Sequence, residues 1–197
     1  MAFVDPVTLQ GRHATLVPLA REHAGALAAA AADGELWRLW YTGVPSPEQA
    51  AAWVDAALAQ REGAGAMPFT VRDNATGDIV GSTRFFNVEA AHRRLEIGHT
   101  WYACRVQRTA LNTECKLLLL THAFETLDCI AVEFRTNFFN FQSRAAIARL
   151  GAKQDGILRN HQLTPEGILR DTVVFSIIDG EWPAVKRNLL FLLERPR

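Results

Sequence analysis

The chain has 197 residues, 49% of them hydrophobic, and its 21 Lys+Arg balance 21 Asp+Glu to a formal net charge of zero. That length predicts a single domain over residues 1–197 with a sizeable core. Zero net charge excludes a global field drawing the protein to nucleic acid or an anionic membrane, so any anion site must be local. The odd set of cysteines, Cys104, Cys115 and Cys129, matches neither a zinc pair nor a disulfide framework and fits a reducing cytoplasm. MAFVDPVTLQGRH at the N-terminus lacks the basic-then-apolar layout of a signal peptide, and no apolar run reaches the ~20 residues of a membrane span. A cytoplasmic protein is therefore expected.

Residues 13–19 (HATLVPL) predict a short strand and the alanine-rich residues 20–33 a helix. A second helix follows Pro45-Ser46-Pro47, with Ser46 as cap and Pro47 in its first position, and runs to Gly63. Between them, LWRLWYTG (residues 36–43) is a dense aromatic patch, either a satellite core or the wall of a ligand site. Residues 67–72 and 79–85 form a hairpin around the polar stretch 74–78. The next strand is RLEIGHTWY, residues 94–102, where Gly98 points to a bulge or a close approach by another chain or ligand. A helix over 112–127 leads to a strand over 130–136, and Asn140 caps a further helix that stops at Gly151. Residues 153–163 and 168–178 pair around the turn 164–167, and a last helix starts near Trp182.

This order predicts an α/β layer fold, mostly antiparallel, with one parallel pair where strand 94–102 joins strand 130–136 through a helix. A ligand outside the C-terminal ends of that pair meets VQRTALN, residues 106–112. There a loop enters a helix, whose first N–H groups and dipole suit a phosphate. Glycine is needed only where φ is positive or the backbone must approach closely. Ala110 is nearly as small, and Asn112 tolerates left-handed geometry.

Several polar groups admit two roles. Glu96 suits a cross-strand ion pair with Arg84 or a general base, and Asn140-Phe141-Gln142-Ser143 suits a helix cap or a ligand-facing edge. The six histidines lack metal-ligand spacing. Cys104 has no readable Cys–His arrangement, and no G-x-S-x-G elbow of a serine hydrolase occurs.

Gln107-Arg108-Thr109-Ala110-Leu111-Asn112 resembles the (Q/R)-x-x-G-x-(G/A) loop of the GNAT superfamily of acetyl-CoA-dependent acetyltransferases, with Ala110 and Asn112 at the glycine positions. Residues 136–156 are similar to its N-x-x-S segment at Asn140, Ser143, Leu150, Gly151 and Gly156, and LEIGHTWY to its EIG strand. Within the superfamily the chain looks like the RimJ/RimL-type branch. The resemblance implies a mixed, mostly antiparallel sheet with a splayed central parallel pair and helices on both faces. It implies acetyl-CoA as cosubstrate and no metal, with pantetheine against the backbone of Trp101 and Tyr102 and the pyrophosphate on the loop from Gln107 through Arg108, Thr109, Ala110 and Leu111 to Asn112. Asn140 and Ser143 would face the pantetheine arm. Glu96 would be the base, directly or through a water, and Ser143 the donor to the coenzyme sulfur. Some family members place a carboxylate near Gln162 of this chain, which leaves His161 and His99 as titratable neighbours. Trp37, Trp40 and Tyr41 would form the acceptor wall. The acceptor would be an amine, either a protein N-terminal α-amine of the ribosomal-protein type or a small molecule, and a homodimer is compatible with the family. The alternative is a coenzyme-A-binding module with little turnover.

Overall fold

The computed structural model describes residues 3–63, 65–164 and 166–195. Strands β1 (Leu9–Gln10) and β2 (Ala14–Pro18) precede helices α1 (Ala24–Ala32) and α2 (Ala50–Glu62). Strands β3 (Ala66–Asp73), β4 (Ile79–Glu89) and β5 (Arg94–Tyr102) follow as an antiparallel meander. Helix α3 (Ala110–Thr121) crosses to β6 (Ala131–Asn137), α4 (Phe141–Leu150) leads to β7 (Lys153–Leu163) and β8 (Leu169–Ile178), and α5 (Trp182–Glu194) closes the order. The eight strands form one sheet, β1-β2-β3-β4-β5-β6-β8-β7. Every pairing is antiparallel except β5 with β6. The strand–helix–strand connection dictates that exception.

Successive side chains of β4 show how the layers are built. Arg84 reaches Gln60 and lies over the Trp53 ring, both on α2, whereas Phe85 stacks on His122 at the end of α3. Alternation thus sends neighbouring residues into helices on opposite faces. Both faces of β3 and β4 are covered along residues 66–71 and 80–85, which are buried throughout. Phe69, Phe85, Leu95, Ile97, Leu119 and Phe134 form the centre of the core.

Local details depart from the sequence pattern at element ends. β1, with two residues, is too short to leave a periodic signal. Helix α3 starts at Ala110, two residues earlier than expected, because Thr109 caps it by accepting a hydrogen bond from Leu111 N. It then widens into a π-turn over His122–Thr126. Of the expected turn at 164–167, Pro165 lies outside the described residues.

Glu114 of α3 fixes the first strands to the rest of the fold. Its buried carboxylate accepts the backbone N–H groups of Arg12 (2.9 Å), His13 (2.5 Å) and Ala14 (2.8 Å) at the β1–β2 turn. A carboxylate is an acceptor only, while an amide of the same shape would turn a donor toward these donors. Glu114→Gln is therefore expected to lower stability by about 2–3 kcal/mol, read by urea unfolding, through buried N–H groups left unpaired.

Candidate active site

The parallel register joins Arg94 to Ala131, Leu95 to Val132 and Glu96 to Glu133, and ends there. Beyond it, β5 stays on β4 as far as Tyr102 and β6 stays on β8 as far as Asn137. Each strand is held on its outer side while the inner edges part, which makes a wedge open at the C-terminal ends. A bulge assists the departure of β5, which advances three residues, Gly98 to Trp101, while β4 takes two. His99 sits in this bulge with a φ of 49°. The close approach expected at Gly98 is made by the protein's own Phe86, whose ring would lie 2.5 Å from a Cβ at that position. Behind the bulge, Lys116 Nζ donates to Thr100 Oγ1 at 2.7 Å and ties α3 to the wedge. Burial pushes the pKa of Lys116 down to about 8.

At the mouth, the β5–α3 loop is shaped by side chains in place of glycines. Gln107 Nε2 donates to Tyr102 O at 2.9 Å, and Thr109 Oγ1 donates to Val106 O at 2.7 Å. The left-handed residue is Arg108, with a φ of 60°, and not Asn112 as the sequence suggested. The chain turns before the Thr109 cap, so Asn112 is already helical, the third residue of α3. Its Oδ1 is buried without a partner among the described residues. The N–H groups of the first turn of α3 lack intrahelical acceptors, and Ala110 presents only a methyl group beside them.

The opposite lip is the start of α4. Asn140 acts as a helix cap, its Oδ1 accepting from Ser143 N at 2.9 Å, while the Ser143 side chain is half-buried in the first turn. Gln142 Nε2 meets Gln107 Oε1 at 3.5 Å, so the two lips touch. Over the wedge, Trp40 (58% exposed) contacts Tyr41 edge-on at 5.7 Å and Phe139 of the β6–α4 loop at 5.9 Å between centroids. Trp37 instead packs partly buried against the core. Trp101 and Tyr102 are buried, the former edge-on to Trp53 at 6.1 Å.

Glu96 lies at the vertex, 3% exposed. Its ion-pair partner is Arg135 of β6, at 3.4 Å. The expected partner Arg84 faces α2 instead, because its guanidinium is drawn to Gln60 and Trp53. Desolvation raises the Glu96 pKa to about 7 against the opposing pull of the Asn87 amide and Arg135. A cavity of about 10 Å³ adjoins Asn87, Glu96, Glu133 and Arg135, room for roughly one water. The other titratable candidates suit a base less. His99 is reachable by solvent yet surrounded by protein, and desolvation, then the charges of Arg84 and Arg170, lower its pKa to about 4. His161, against Thr172 Oγ1 at 3.1 Å, is on β7, three strands from β5, roughly 14 Å at the spacing of a sheet. Gln162 pairs with Arg170 on the same hairpin.

Residues 13–153 match the family model of the acetyltransferase (GNAT) domain. The chain belongs to the GNAT acetyltransferase family. It is 30% identical over 110 residues to the "Putative ribosomal N-acetyltransferase YdaF" of Bacillus subtilis (strain 168), a match covering 56% of this chain and 59% of that relative. Among solved structures, a GCN5-related N-acetyltransferase from Brucella melitensis superposes with a TM-score of 0.86 at 28% identity, over 96% of this chain and 86% of that one. Mycobacterium smegmatis RimJ, in complex with CoA-disulfide, shares the fold with a TM-score of 0.79 at 20% identity, over 95% of both chains. This GNAT chain is thus an acyltransferase with a mixed sheet and one parallel pair, as the resemblance implied.

The motifs did not disclose Asn87, Glu133, Arg135 or Phe139. The signal available for Asn87 was a poor strand former inside the run STRFFNVE. Phe138 and Phe139, two aromatics just before a helix cap, were a second unused signal.

The raised Glu96 pKa also bears on stability. A carboxyl group with a folded pKa above its unfolded value contributes stability that is fully present below the unfolded pKa, near 4.5, and is lost as pH rises through about 7. Glu96→Gln, which cannot ionise, is expected to gain about 1–3 kcal/mol relative to the wild type between pH 4.5 and pH 8. Urea unfolding at the two pH values checks this.

Proposed function

We propose that this GNAT enzyme transfers acetyl from acetyl-CoA to an amine by direct attack on the thioester, with Glu96 as general base. The observation that carries the reading is the wedge itself, which parts one residue beyond a buried carboxylate with a pKa of about 7. An amine arrives largely as ammonium near neutral pH, and a base is most effective when its pKa lies near the working pH. Glu96 therefore accepts the amine proton, directly or through a water in the adjoining cavity.

Fit to the cosubstrate is supported by the parted edge of β5 near Trp101 and Tyr102, by the amides from Arg108 to Asn112, and by the CoA species bound to the structurally similar RimJ. When bound, acetyl-CoA supplies the acyl group as an activated thioester. Gln107 braces the loop, Thr109 caps the helix behind it, and Ser143 at the α4 lip donates a hydrogen bond to the departing sulfur. Trp40 and Tyr41 wall the acceptor side, with Trp37 supporting them from the core. The Bacillus relative is named a putative ribosomal N-acetyltransferase, and together with the RimJ/RimL-type resemblance this favours a protein N-terminal α-amine of the ribosomal type as acceptor. A small-molecule amine uses the same chemistry, and an amine panel with thiol release as readout separates the two.

Glu96→Gln is expected to lower kcat by roughly 10²–10⁴ near neutral pH, with acetyl-CoA affinity nearly unchanged and the acid limb near pH 7 abolished. Ser143→Ala should weaken the transition state by about 1.5–3 kcal/mol without moving that limb. Full turnover in Glu96→Gln with an unaltered pH profile would remove Glu96 as base.

Ala110→Val places two extra methyl groups beside the N-terminal amides of α3. Calorimetry should show acetyl-CoA affinity reduced several-fold, roughly 1 kcal/mol, with the fold retained. Unchanged affinity would put the pyrophosphate elsewhere.

A further inference from the structure

A second bulge lies in β4, next to the vertex. β4 advances three residues, Phe86 to Glu89, while β5 takes two, Glu96 to Arg94. Asn87 sits in it with a φ of 47°, a left-handed conformation that most side chains resist and Asn tolerates best. Phe86 pairs directly with Glu96, so their side chains share a face, and regular alternation would send the next side chain to the other one. The bulge turns Asn87 back, and its Nδ2 donates to Glu96 Oε2 at 2.9 Å.

Arg135 Nε approaches the same oxygen at 3.4 Å, but its guanidinium is shared with Glu133, which it meets at 2.8 and 3.2 Å. Oε1 has neither contact and lies 3.6 Å from where a Cβ of Gly98 would stand, on the side where the strands part. We propose that Asn87 is the positioning residue for the base, holding Oε2 so that Oε1 faces the acceptor amine and keeping the desolvated carboxylate in its charged form. The inference rests on Glu96 as the base. The other charged groups around the carboxylate are Glu89 of β4, Arg94 of β5, Glu133 and Arg135 of β6, and Arg170 of β8. Arg94 and Arg135 both pair with Glu133. Beside the backbone N–H of Arg135, Asn87 supplies a neutral side-chain donor, which favours the ionised carboxylate without adding a charge.

Asn87→Gly separates the two roles of the residue, since glycine accepts the left-handed backbone and removes only the amide. With circular dichroism confirming the fold, the acid limb of kcat/KM should move up by about one pH unit, giving roughly tenfold lower kcat/KM at pH 6 and a loss within about threefold at pH 9. Glu96 of the free protein, followed by NMR of ¹³C-labelled glutamate, should titrate higher by the same amount. Asn87→Asp, which replaces the donor by a second carboxylate, should move both further in the same direction. If neither the limb nor the NMR titration moves in Asn87→Gly, the positioning role is overturned, while the base assignment still stands on the Glu96→Gln result. If the titration moves and the limb does not, the limb does not belong to Glu96 and Asn87 has no part in the reaction. In that case Glu96→Gln keeps its profile as well.

Discussion

The inner edges of β5 and β6 stop pairing at Glu96 and Glu133, although β5 runs on to Tyr102 and β6 to Asn137, and the candidate site depends on that interruption. Both strands remain held on their outer edges, β5 by β4 and β6 by β8, so the departure costs only the hydrogen bonds between them. The unpaired groups face a wedge that a ligand with amides of its own can enter and satisfy. The two loops at the C-terminal ends, one feeding α3 and the other α4, become its two lips, bridged by Gln107 and Gln142. Lys116 and Thr100 fasten the same bulge to α3, so the helix behind one lip is hydrogen-bonded to the strand that lines the wedge.

Charge at the vertex follows from the same geometry. Glu96 and Glu133 face each other across the last parallel pair, and Arg94 and Arg135 come from the same two strands. Two carboxylates and two guanidiniums balance when all are ionised, yet Glu96 is the most buried of the four side chains and bears the desolvation. A carboxyl group held between protonated and ionised forms is unfavourable for folding and favourable for proton transfer, the usual direction of a stability–activity trade-off. Burial of the carboxyl group creates the shift.

Element order, the lone parallel pair and the helix entry after the β5–α3 loop were legible in the sequence because they rest on periodicity and on a caps-and-turns vocabulary that is local. Where the chain had to choose between equivalent local solutions, the pattern was silent. Both Arg108 and Asn112 were available for the left-handed turn, and the Thr109 cap decided in favour of the earlier one. Glu96 could have paired with Arg84 across the antiparallel strand or with Arg135 across the parallel one, and α2 decided by engaging Arg84 through Gln60 and Trp53. Asn87 escaped notice because a bulge in β4 reverses the face to which alternation assigns it. These are tertiary choices, and a single strand or helix does not contain them.

The Glu114 carboxylate that holds the β1–β2 turn also imposes an order of assembly. Its three backbone partners precede it by 100 to 102 residues, so on the ribosome the first strands exist long before their acceptor. At ~5–20 residues per second that interval is roughly 5–20 s, during which the N-terminal hairpin lacks the group that orders its turn. Closure of so long a loop belongs to the slow, non-local class of folding events. The carboxylate lies one turn inside α3, so the chain's first segment and the β5–α3 loop become ordered together, once that helix has been made.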